Sequence, residues 1–188
     1  MEPRDPTWGR RFRCYRGLSM QTYMIRGLAL LVAGAQAVVL VAARDSARRA
    51  VVEPPTPGVA VAREALAAVG TPYRWGATGA DAGGGFDCSG LIWRSFAAQG
   101  IWLPRVSYEQ ARAGVAIPRK PVALEPGDLL TFSRVPGGPV QHVGLYIGGG
   151  NFVHSSGWDR GVVVSSLAPG DPKGRWWWRR WVGVRRVT

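Results

Sequence analysis

Cys88 stands where residue type and position together invite nucleophilic chemistry. It follows Asp87, a residue suited to cap a helix. Cys88, Leu91, Ile92, Ser95 and Phe96 then fall at the three-and-four spacing of one helix face, and Gly100 is placed to end that helix. A cysteine in a first helical turn meets unpaired backbone N–H groups and the positive end of the helix dipole, which lowers a thiol pKa from its free value of about 8.5 and favours the thiolate. The chain has two histidines, His142 and His154, and both belong to one expected hairpin, Val140 to Ile147 and Asn151 to Ser155 around Gly148-Gly149-Gly150. If the three glycines form the loop, Ile147 faces Asn151, His154 faces Gly144 and the imidazoles are diagonal neighbours; a loop at 147–149 sets them directly opposite. Either register puts both rings on one sheet face, about 5 to 8 Å apart. A thiol, a base and a group that fixes the base's tautomer form a nucleophilic triad: Cys88 as nucleophile, His142 as base, His154 as orienter. The chemistry expected is acyl transfer to water through a thioester. The bland alternatives are a buried structural cysteine and two unrelated histidines. A zinc site on Cys88, His142 and His154 would need three groups to converge on one point; no metal and no cofactor is expected.

These residues need a helix and a sheet to position them, and the pattern supplies both. Thr56 and Pro57 suit the N-cap and first position of a helix whose apolar face is Val61, Ala62, Ala65, Leu66 and Val69, ended by Gly70. Ser107-Tyr108-Glu109-Gln110 matches a capping box and predicts a short helix through Ala113. Beyond about residue 120 the texture turns to strands: Leu129 to Phe132 after a Pro126-Gly127 turn, the two histidine strands, Gly161 to Ser165 and Trp181 to Val187. Helices followed by a meander read as α+β, with N-terminal helices packed on a C-terminal antiparallel sheet of about five strands. No internal repeat is present.

The 188 residues are enough for one ordinary domain with tails. Residues 1–26 are basic. Gly27 to Ala43 is an apolar run broken only by Gln36, shorter than the roughly 20 residues of a membrane-spanning helix and ending in Val41-Ala42-Ala43, a pattern a signal peptidase cuts. Residues 1–43 are therefore read as a signal peptide or signal anchor, with Met20 or Met24 as more ordinary starts, and 44–58 as a proline-rich linker too short for a separate domain. A periplasmic or secreted location follows, with a membrane tether through 27–43 if the run is retained. Of the two cysteines, Cys14 lies in this leader, which leaves Cys88 as the mature chain's lone thiol. The formal charge of +12 comes from 24 basic residues against 12 acidic ones, so an anionic polymer, a membrane surface or nucleic acid would each be attracted. Arg175-Trp176-Trp177-Trp178-Arg179-Arg180-Trp181 could stack on nucleic acid, but Val182 and Val184 alternate as in a last, half-buried edge strand, and nucleic acid is not expected as a partner.

Phe86-Asp87-Cys88-Ser89-Gly90-Leu91, His142-Val143-Gly144-Leu145-Tyr146-Ile147-Gly148 and Phe152-Val153-His154 together resemble the NlpC-type bacterial cell-wall peptidases. Tyr73-Arg74-Trp75-Gly76, Leu103-Pro104-Arg105 through Gln110, and Pro126-Gly127-Asp128-Leu129 extend the resemblance from about Val59 to the C-terminus, so that 59–188 forms the catalytic domain. The resemblance implies a papain-like fold, the triad Cys88, His142 and His154, and cleavage of peptidoglycan stem peptides, most often between γ-D-glutamate and a diamino acid. It further implies that Tyr73 lies near the oxyanion site and that Asp87 and Ser89 help hold the substrate's amine end, with Arg105 beside them. Peptidoglycan or its muropeptide fragments are the expected partners of a monomer. An amidase or acyltransferase on the same fold, or a non-catalytic basic wall-binding domain, are the rival functions.

Overall fold

The computed structural model describes residues 54–80 and 83–187. The expected signal peptide or anchor at 1–43, Cys14 and the linker up to Glu53 lie outside the described residues. Among the described residues no helix is long and apolar enough to cross a membrane.

Helix α1, Pro57–Ala67, begins as its sequence dictates: Pro57 sits in the first turn and Thr56 Oγ1 accepts the Val59 N–H at 3.4 Å. Its buried stripe is Val61, Ala62 and Ala65, narrower than expected, because Leu66 lies at the margin of that stripe and Val69 lies past the helix end; both are exposed. Helix α2, Cys88–Ala97, is capped by Asp87, whose carboxylate accepts the Gly90 N–H at 2.6 Å, and it buries Leu91, Ile92, Ser95 and Phe96. The short helix α3, Ser107–Gln110, departs from the capping box. Val106 is its N-cap, with no side-chain cap, and Gln110 turns inward to donate to the carbonyls of Ser89 at 3.0 Å and Pro104 at 2.9 Å. Satisfying carbonyls in the interior outweighs an exposed cap, since a buried unpaired carbonyl costs about 1–3 kcal/mol.

The sheet is antiparallel with six strands in the order β1-β6-β2-β3-β4-β5. They are β1 Val115–Ile117, β2 Leu129–Phe132, β3 His142–Gly148, β4 Asn151–Ser156, β5 Gly161–Ser166 and β6 Trp181–Arg186. The short β1 adds to the five expected strands, and it places β6 inside the sheet rather than at its edge. The β2–β6 register slips between Thr131 and Phe132, where Thr131 pairs Gly183 and Phe132 pairs Trp181. This bulge at Val182 overrides the expected alternation: Trp181 and Val184 are buried at 2% exposure each, while Val182 is 40% exposed. A second helix region, α4 Pro172–Arg180, fills the connection that the sequence pattern left as tail; Asp171 caps it by accepting the Gly174 N–H at 2.6 Å.

In the histidine hairpin Leu145 pairs Val153 and Tyr146 pairs Phe152, the diagonal register; the ladder then slips so that Gly148 pairs Asn151. Gly149 and Gly150 alone make the turn, at φ +61° and +77°, backbone values that only glycine adopts freely. One sheet face, with Leu129, Val143, Leu145 and Val153, packs under α1 and α2. The other, with Leu130, Phe132, Tyr146 and Phe152, packs under Trp177 of α4.

Gly90 shows how tightly the α2 start is built. A Cβ there would lie 2.1 Å from the Ala77 carbonyl oxygen and 2.9 Å from Asp87 Oδ1. Gly90→Ala gains roughly 1 kcal/mol of helix propensity, but the backbone clash outweighs it. We expect a net loss of at least about 2 kcal/mol in urea unfolding; a neutral result would mean that the Ala77 loop gives way freely.

Candidate active site

Cys88 is half-buried at the first residue of α2, and His142 opens β3. Both line one cleft of about 410 Å³, with Tyr73, Arg134, Gln141 and Trp177 among its other walls. The Cys88 sulfur lies against the backbone N–H of Val143, the residue next to His142, so the helix start and the strand start meet at the cleft. The imidazoles come from alternate positions of neighbouring strands on the α4 side of the sheet. Their rings stand 5.0 Å apart at 87°, and His142 Nε2 lies 3.0 Å from His154 Nδ1.

The chain of contacts continues one step further than the sequence pattern suggested. His154 Nε2 lies 2.9 Å from Ser165 Oγ on β5. Ser165 pairs with Phe152 across the ladder, which makes it the diagonal neighbour of His154 on the same face. One set of tautomers leaves Nδ1 of His142 free as a base. His142 then donates from Nε2 to His154 Nδ1, and His154 donates from Nε2 to the Ser165 hydroxyl. Every ring nitrogen except the base has a partner in that arrangement.

Trp177 is the other residue the sequence pattern missed. Its ring stacks on His142 at 5.3 Å and 27°, and meets His154 edge-on at 4.8 Å. Phe152 stacks on His154 at 4.9 Å and meets Trp177 edge-on at 5.3 Å. The only signal was the run of three tryptophans, and its periodicity reads as helix once Asp171-Pro172 is recognised as a helix start.

This aromatic enclosure sets the charges. Burial pushes the His142 pKa down to about 4, with Asp159 pulling weakly the other way. Burial, then the neighbouring His142 and Lys173, hold His154 well below the ordinary histidine range. Cys88 departs from the expectation of a lowered thiol pKa. Burial and then the Asp87 charge push it up, against the pull of the backbone N–H groups of Val143, Ser89 and Cys88 itself. Desolvation of the thiolate here exceeds the stabilisation from the helix start. The resting site therefore holds a neutral thiol beside neutral imidazoles. Tyr73 is likewise held protonated, by burial and then by Cys88 and Asp87, so its hydroxyl remains a donor near the sulfur.

Asp87, Ser89 and Arg105 form one bonded unit behind the nucleophile. Arg105 Nη1 and Nη2 donate to the two Asp87 oxygens at 3.0 and 2.8 Å, and Nη1 reaches Ser89 Oγ at 2.9 Å. Gly76 N–H at 2.9 Å, Gly90 N–H at 2.6 Å and Ser89 Oγ at 3.3 Å complete the Asp87 shell. Asp87 is thus cap, ion-pair partner and loop anchor together. Among the described residues no cluster of three His, Cys, Asp or Glu side chains is placed to hold a metal ion.

The geometry has counterparts in known proteins. A model of the NlpC/P60 family matches residues 70–186. The chain is 40% identical over 100 residues to a γ-D-glutamyl-L-lysine dipeptidyl-peptidase of Bacillus subtilis, covering 53% of this chain and 32% of that one. It is 36% identical over 120 residues to the murein DD-endopeptidase MepH of Escherichia coli, covering 63% and 42%. Among solved structures, the peptidoglycan hydrolase RipB of Mycobacterium tuberculosis superposes with a TM-score of 0.55 at 34% identity, covering 70% of this chain and 64% of that one. The match spans 32% and 42% of the length of these two curated relatives, well short of their whole chains.

Proposed function

The chain belongs to the NlpC/P60 family, and from that premise we propose that it is a cysteine endopeptidase hydrolysing peptidoglycan stem peptides at the bond between γ-D-glutamate and a diamino acid. The observation that carries this reading is the bonded series His142–His154–Ser165 ending in the cleft that Cys88 lines.

In this mechanism the Cys88 thiol proton passes to His142 Nδ1 as the sulfur attacks the substrate carbonyl carbon. The resulting imidazolium is held by His154, whose Nδ1 accepts the Nε2 proton of His142. The Tyr73 hydroxyl donates to the developing oxyanion, in a site dry enough for one hydrogen bond to matter. His142 then returns the proton to the leaving amine, and a thioester remains on Cys88. Water attacks that thioester, giving its proton to His142. The tetrahedral intermediate collapses to the carboxylic acid, and the proton goes back to the sulfur. Asp87, Ser89 and Arg105 contribute to substrate binding from behind the cleft, by bracing the start of α2 and the Gly76 turn beside Tyr73. We further propose that the protein acts outside the cytoplasm, as a monomer delivered or tethered through residues 27–43, a reading supported by its likeness to cell-wall hydrolases.

Mass spectrometry of muropeptides after digestion with the wild type and with Cys88→Ala tests the proposal. We expect new amino ends at the diamino acid, absent with the variant. Release of whole stems from sugar would instead mark an amidase, products joined to a second amine a transferase, and intact substrate bound by the wild type a non-catalytic wall-binding domain.

A further inference from the structure

We propose that the cavity next to the catalytic cleft is a saccharide subsite, which holds a pyranose ring of the glycan while the attached stem peptide lies against Cys88. The inference rests on the peptidoglycan reading above and adds which form of the stem is taken.

The cavity measures about 420 Å³ and is walled by Trp158, Trp176 and Trp177 with Pro172, and by Ser156, Asp159 and Lys173. It shares Ser156, Trp158, Trp176 and Trp177 with the catalytic cleft, so the two are continuous. Trp158 is 94% exposed on the β4–β5 turn, and Trp176 is 41% exposed on α4. Large indole faces left in water beside a catalytic cleft need a reason, because burying them is strongly favourable.

The backbone that carries Trp158 and the ring of Trp176 are both braced. Asp159, adjacent to Trp158, pairs with Lys173 of α4 at 2.7 Å and donates its N–H to Ser156 Oγ at 3.3 Å. The Arg180 guanidinium lies over the Trp176 ring at 4.0 Å. The platform is therefore built on a turn clamped to a helix, which lowers the ordering cost of binding.

The chemistry of the walls selects the occupant. A pyranose presents an apolar C–H face and a rim of hydroxyls. The indoles suit the first, and the Asp159–Lys173 pair and Ser156 suit the second. The catalytic cleft points the same way. Its described walls carry no acidic side chain, and the Asp87 carboxylate behind it already receives five hydrogen bonds. A free ammonium end finds no open carboxylate there. A stem peptide whose amine is acylated, because it is still joined to its sugar, brings no such charge.

The test compares a disaccharide-linked stem peptide with the same peptide bearing a free amine. The wild type should cleave the linked form with a kcat/KM about tenfold higher, mainly through KM, and Trp158→Ala should erase that preference by lowering kcat/KM for the linked form about tenfold more than for the free peptide. In parallel, calorimetry with β-1,4-linked N-acetylglucosamine oligomers should show binding to Cys88→Ala protein and none once Trp158→Ala is added. Equal wild-type cleavage of both substrates, an equal loss on both in Trp158→Ala, or no oligomer binding would overturn the subsite. Failure of the wild type to cleave either substrate would count against the peptidase reading alone, because the oligomer titration does not depend on catalysis.

Discussion

His142→Ala lowers kcat on muropeptide by about 10⁴-fold or more, as does Cys88→Ala, and the double variant is no worse than either alone. Each removes a member of a unit that works only when whole. Without the sulfur there is no acyl acceptor, and without Nδ1 there is nothing to take its proton. The Cys88 pKa is raised by burial and by Asp87, so little thiolate exists at neutral pH without that base. His154 acts one step back. Its Nδ1 sits 3.0 Å from His142 Nε2 and fixes which nitrogen of His142 is free, so His154→Ala should cost about 10²- to 10³-fold in kcat with KM little changed. His154→Gln keeps an acceptor toward His142 and should recover at least tenfold of that loss. His154→Ala without effect, in a variant shown by circular dichroism to be folded, would remove His154 from the mechanism. Steady-state rates on one purified muropeptide suffice for the whole series.

The placement of those three side chains was legible in the sequence because each is chemically conspicuous and the hairpin has a period of two. Two histidines placed twelve apart around a glycine triplet must share a face in either register, so the diagonal contact followed from counting. The α1 and α2 boundaries were legible for a similar reason: Thr56 and Asp87 carry their own cap chemistry. What escaped was decided by long-range competition. Gln110 abandons the capping box because the carbonyls of Ser89 and Pro104 need its amide. Val182 leaves the β6 alternation because a bulge lets both Trp181 and Val184 enter the core. Helix α4 lay hidden in a run of arginine and tryptophan with low intrinsic helix signal; its place over the histidines, through Trp177, is a tertiary fact. The raised Cys88 pKa escaped as well. A helix start can be read from sequence, whereas the burial that opposes it cannot.

Trp177 then connects the fold to the pH behaviour. The ring covers one face of His142, which keeps a part-exposed edge at the cleft, and burial of the rest holds that imidazole's pKa at about 4 against 6.5 for an exposed histidine. Between those two values the unfolded chain binds a proton at this position and the native protein does not. The His142 contribution to stability is therefore flat above about pH 6.5 and falls as pH is lowered from 6.5 toward 4, by roughly 3 kcal/mol. His154, displaced in the same direction, deepens the loss. The acid limb of kcat/KM follows the same group, because a protonated His142 cannot take the thiol proton. It should fall near pH 4, well below that of an exposed imidazole. Trp177→Ala admits water to both rings and should move this limb up toward 6.5. The same variant should be less stable than the wild type at pH 8 yet lose less on acidification, since its native histidines accept protons more readily. Urea unfolding at pH 8 and pH 5, with kcat/KM profiles for both proteins, measures each part. A wild-type acid limb at 6.5 or above would mean that the histidines are hydrated in solution. A limb unmoved by Trp177→Ala would mean that another wall, Phe132 or Phe152, keeps them dry.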